Sequence, residues 1–121
     1  MIPVTSGPLG ILTPHGPRIV GGMSGGGIPV GLAVAFIPLQ AEWGDRQRAG
    51  LVRYSVTHAL SGRGIGPGFE SVHDARHLAE ELADLCDWTL PESALLALPE
   101  IQRAVSATLD RVLTELDEGA L

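Results

Sequence analysis

Residues 28–36 read IPVGLAVAF, and the alternation in this stretch sets the fold. Ile28, Val30, Leu32, Val34 and Phe36 are bulky, while Pro29, Gly31, Ala33 and Ala35 between them are small. An extended chain sends successive side chains to opposite faces, so this pattern predicts a strand with every large side chain on one face. That face is core. The small-residue face leaves room for another backbone or a helix to approach closely.

Toward the C-terminus, Gln40 to Gly50 is polar, contains two glycines and reads as a loop carrying Trp43, Arg46 and Arg48. Leu51 to Ala59 alternates again, with Val52, Tyr54 and Val56 on one side and Arg53, Ser55 and Thr57 on the other, which predicts a strand with one wet face. Leu60–Gly64 supplies turn chemistry, and Ile65–Phe69 returns as a short edge strand because Pro67 lacks a backbone donor. From Ser71 onward the period becomes helical. Ser71 is an N-cap with Asp74 three residues on, and Val72, Ala75, Leu78, Ala79, Leu82, Leu85 and Cys86 form one apolar face. Asp87–Trp88 ends that helix, Thr89 with Glu92 repeats the capping pattern before a short helix, and Pro99 opens a final one striped by Ile101, Val105, Leu109, Val112, Leu113 and Leu116.

Toward the N-terminus, Gly and Pro recur throughout residues 1–27, between short apolar pieces such as Ile11-Leu12 and Ile19-Val20. Proline removes donors and glycine raises the entropic cost of ordering, so the stretch reads as an extended arm without regular elements. The expected organisation is that arm followed by one small domain over 28–121, with strands within 28–69 and helices within 71–118. Strands first and helices afterwards give an α+β fold: an antiparallel sheet of about three strands with two to three helices packed on one face.

The 121 residues suffice for one core, and a hydrophobic content of 45% argues against wholesale disorder. Charge is unevenly divided. Residues 1–68 hold five arginines against two carboxylates (+3), and residues 69–121 hold three arginines against twelve (−9), which together give the chain's −6. One cysteine, no secretory leader pattern and a glycine- and proline-broken uncharged run at 19–39 point to a cytoplasmic protein, or one within an assembled particle, with no membrane partner.

Motifs for chemistry are few. Gly22-Met23-Ser24-Gly25-Gly26 fits G-x-S-x-G, with Asp45 and His58 following in hydrolase order, but that motif works as a strand-to-helix elbow and here a strand follows. A phosphate cradle needs a helix N-terminus and usually a lysine, and the chain has no lysine. His73 and His77 stand one helical turn apart, the spacing for gripping a metal ion, on a face otherwise rich in Glu and Asp, which reads as solvated surface. Cys86 falls on the apolar face and reads as core. No catalytic residue, cofactor or metal is therefore assigned.

What remains is a basic, arm-bearing end and an acidic helical end. The expected function is that of a non-enzymatic assembly or adaptor subunit, docking on an acidic protein partner or another copy, as a component of a phage particle or other large complex. Arg18, Trp43, Arg46, Arg48, Arg53 and Arg63 are the expected contacts. The alternative is a small nucleic-acid-binding protein that reads through the Arg53, Ser55, Thr57 face of its sheet.

Overall fold

The computed structural model describes residues 3–14, 16–38 and 52–119. Four antiparallel strands, β1 (Thr5–Thr13), β2 (Gly16–Ser24), β3 (Leu32–Pro38) and β4 (Val52–His58), lie in sequence order as one meander. Three helices follow: α1 (Val72–Leu82), α2 (Glu92–Leu96) and α3 (Pro99–Gly119). The class is α+β, as the sequence indicates. The expected loop at Gln40–Gly50, with Trp43, Arg46 and Arg48, lies outside the described residues.

The N-terminal stretch departs most from expectation. Residues expected to be an irregular arm form a hairpin of two nine-residue strands, paired from Thr5 with Ser24 to Thr13 with Gly16, which brings the sheet to four strands. Proline is tolerated because the ladder does not need its missing donors. Pro8 lies on the edge strand β1, and Pro17 lies in a part of β2 that pairs with β1 alone, since β3 joins β2 only at Gly21–Met23.

β3 also begins later than its periodicity suggests. Pro29–Gly31 is a turn and the strand starts at Leu32, so Ile28 is buried while Val30 is 67% exposed. Gly31 turns with φ +97°, and a Cβ there would lie 2.4 Å from the backbone of Trp88. Only glycine allows that approach.

On one face of β3 and β4, Leu32, Val34 and Val56 meet Ala75, Leu78, Ala79 and Leu82 of α1 and Val112 of α3 in the main core. The opposite face, expected to be wet at Ser55 and Thr57, is buried as well: Ala33, Ala35, Ser55 and Thr57 are each at most 6% exposed. The hairpin covers it. Thr5, Gly7 and Leu9 of β1 surround a small cavity against Ala33, and Ile11 and Leu12 surround another against Ser55 and Thr57. Beyond β4, Leu12 donates its N–H to the carbonyl of Gly62 (2.8 Å), so the first strand reaches the far end of the meander and the sheet rolls into a small, incomplete barrel.

The expected short edge strand at Ile65–Phe69 does not form, and segment 63–69 takes its place. It runs beside β4 but joins it only through isolated bridges, Thr57 with Gly64 and Tyr54 with Phe69, because Pro67 and its flanking glycines interrupt the ladder.

The helices follow their stripes, and Ser71 caps α1 by accepting the His73 N–H. α1 stops at Leu82, before the expected Asp87–Trp88, because the Trp88 indole donates to the Leu82 carbonyl at 2.8 Å and satisfies an end group the helix would otherwise leave open. The expected capping by Thr89 does not form. Pro91 occupies the N-cap of α2, and Thr89 bonds Asp87 instead.

Candidate functional site

Strand β4 ends on His58, 4% exposed and aimed at the connector between α1 and α2. Its Nε2 lies 3.0 Å from the carbonyl of Trp88 and 2.9 Å from that of Leu90. Carbonyls can only accept, so Nε2 carries a hydrogen, and Nδ1 pairs with the Ser61 hydroxyl at 2.7 Å. Ser61 Oγ also receives the N–H of Arg63 (3.3 Å), while the backbone returns from Gly62 N–H to His58 O and from His58 N–H to Arg63 O. The histidine thus rivets strand, turn and helix connector together. No sequence motif singled out this pair, although the H-x-x-S spacing across a glycine turn was its signal.

Beside this rivet opens a cleft of about 320 Å³ between segment 63–66, α2 and the first half of α3. Its walls are apolar, built from Ile65, Trp88, Leu95, Ile101, Val105 and Leu109. They come together because α2 and α3 turn their stripes toward the same end of the core. At the cleft, Arg63 Nε donates to Glu92 Oε1 at 2.7 Å, and the Gln102 amide is held by the Leu96 carbonyl at 2.6 Å. Apolar walls with a few placed polar groups are the general build of a small-ligand site.

A second surface lies on the hairpin. Directly opposed residues of an antiparallel pair share a face, so Leu12 with Pro17 and Gly10 with Ile19 stand on the side away from buried Ile11. That side carries no charged residue along β1 and β2, and Leu12 and Ile19 are 45% and 78% exposed. Arg18 shares the Ile11 side and is itself exposed.

The expected contact residues are scattered by the fold. Arg63 is tied to Glu92, and Arg53 approaches Glu70 at 3.7 Å, so each already faces a carboxylate of its own chain. Trp43, Arg46 and Arg48 are outside the described residues. Ser55 and Thr57, with which Arg53 was to make a reading face, are buried under the hairpin.

Among the described residues no group of three or more His, Cys, Asp or Glu could hold a metal ion, so His73 and His77 belong to no such cluster. His77 instead stands 4.0 Å from Glu81 and 3.9 Å from Glu115. Both carboxylates also grip Arg111, at 2.9 and 3.3 Å, and hold its guanidinium above its already high range. Burial and the neighbouring Asp87 push the Cys86 thiol up, which disfavours a reactive thiolate. Ser24 ends a strand and leads into a glycine turn rather than a helix. Among the described residues no helix is long and apolar enough to cross a membrane.

A scan against protein-family models finds no match, and neither the curated proteins nor the solved structures yield one.

Proposed function

We propose that this protein is a non-enzymatic assembly or adaptor subunit that docks through the outer face of its N-terminal hairpin. The observation that carries the reading is the exposure of Ile19 and Leu12 as diagonal neighbours on the uncharged outer face of the strand pair. Contiguous exposed apolar surface on a folded domain marks an interaction site more often than chance placement. The counterpart is an apolar patch at the helical end of a second copy, where Leu96 and Leu98 are 54% and 40% exposed. Unlike surfaces meeting head to tail build rings or filaments. Nucleic-acid reading through the sheet is the less favoured function, since Ser55 and Thr57 are covered.

Size-exclusion chromatography with light scattering over a range of concentrations tests this. Wild type is expected to exceed the 12.7 kDa of one chain, and Ile19→Asp, an exposed change that leaves the core intact, is expected to return it to a monomer. Wild type that stays monomeric at every concentration refutes self-docking. Deleting residues 1–27 is no test, because it removes half the sheet.

A further inference from the structure

We propose that the cleft beside His58 binds a small neutral molecule with an apolar body and a single amide or hydroxyl head. The proposal is independent of the hairpin and of any self-association. Its volume, about 320 Å³, sits at the lower end of the roughly 300–1,000 Å³ typical of ligand sites, which selects a compact ligand. The apolar walls dictate the body.

The head is dictated by the ion pair among the cleft residues. Arg63 Nε and Glu92 Oε1 satisfy each other at 2.7 Å, which leaves the guanidinium's terminal N–H groups as donors and the second carboxylate oxygen as an acceptor. A ligand carboxylate reaching Arg63 would meet the charge of Glu92, and a ligand ammonium reaching Glu92 would meet Arg63. Either must break the pair or stand beside a like charge. A neutral group that both donates and accepts bridges the two without disturbing them. Ser61 Oγ, paired with His58 Nδ1 and accepting from the Arg63 backbone N–H, has room for one further hydrogen bond.

Two-dimensional amide NMR on the full chain, titrated separately with octanamide, octanoate and octylamine, decides the matter. Octanamide is expected to give saturable shifts confined to 61–66, 92–96 and 101–109, with octanoate and octylamine binding at least tenfold more weakly. Val105→Phe, which fills the cleft, is expected to weaken octanamide tenfold or more. Leu96→Asp, at a position 54% exposed and so safe for folding, is expected to weaken it several-fold. Glu92→Gln frees Arg63 and is expected to reverse the order, with octanoate overtaking octanamide. The proposal is overturned by unsaturable or scattered shifts, by wild-type preference for either charged probe, by binding indifferent to both Leu96→Asp and Val105→Phe, or by an order that Glu92→Gln leaves unchanged.

Discussion

The two faces of the β3–β4 ribbon are both buried, yet they are built from opposite materials. Under the helices stand Leu32, Val34 and Val56, and under the hairpin stand Ala33, Ala35, Ser55 and Thr57. A helix carries its own side chains and keeps its axis away from the sheet, so large groups must fill the gap. A glycine-rich strand brings bare backbone close: a Cβ on Gly62 would lie 3.1 Å from the carbonyl oxygen of Gly10, and one on Gly22 would lie 2.9 Å from the Leu9 side chain. Small side chains on β3 and β4 are what let the sheet curl that tightly. The same chain therefore has one face that depends on volume and one that depends on its absence.

The largest expected effect comes from removing volume on the helical face. Leu78 is fully buried among Leu82, Val34 and Val56. Leu78→Ala is expected to cost about 2–5 kcal/mol, the range for deleting a core leucine and leaving a partly collapsed cavity. Urea unfolding with an unchanged slope measures it. A loss under about 1 kcal/mol would mean that the helical face tolerates gaps as the hairpin face does, and the contrast would fail.

Adding volume on the other face is the complementary change. Ala35 has no exposed surface and stands between Gly22 and Ser55 across the ladder. Ala35→Leu is expected to destabilise by about 1–3 kcal/mol, as overpacking does, although the substitution raises hydrophobicity and strand propensity. Its amide exchange is expected to quicken in β1 and β2 before it quickens in the helices, because the hairpin is what the new side chain displaces. Equal or greater stability would show that the hairpin lies on the sheet loosely.

How much of this was legible beforehand follows from the same contrast. The helices were read nearly as they stand, because Ala75, Leu78, Ala79 and Leu82 repeat at helical spacing and Ser71 is a local cap. The small-residue face of β3 signals room for another backbone or a helix, and the structure fills it with the hairpin. The backbone that fills it was not recognised, because glycine and proline punish regular structure locally while close packing, a distant property, rewards them. Without the hairpin, nothing in the local alternation distinguishes Ser55 and Thr57 from a solvent-facing row. The cleft escaped for a similar reason. His58, Arg63, Glu92 and Leu109 are brought together by tertiary structure, and no spacing in the chain announces it.

Acid sharpens the comparison with the smallest effect. Residues 1–27 contain no carboxylate, whereas twelve of the fourteen lie beyond residue 68, so the carboxylates that take up protons as the pH falls are concentrated on the helical side. One group there has a resolved cause. The Thr89 hydroxyl and N–H both bond Asp87 and hold its carboxyl below the ordinary range. A carboxyl depressed in the folded state binds protons more readily when unfolded, so its contribution is fully present above the unfolded value of about 3.9 and is lost as pH falls through the lower folded value. Asp87→Ala is therefore expected to lower the urea midpoint slightly at pH 7, with the gap from wild type closing below about pH 4. A gap that stays constant down to pH 3 would show that the Asp87–Thr89 bonds contribute nothing that depends on charge. In the same titration, amides of the β1–β2 hairpin that lose protection before those around Asp87 would reverse the order the charge distribution dictates.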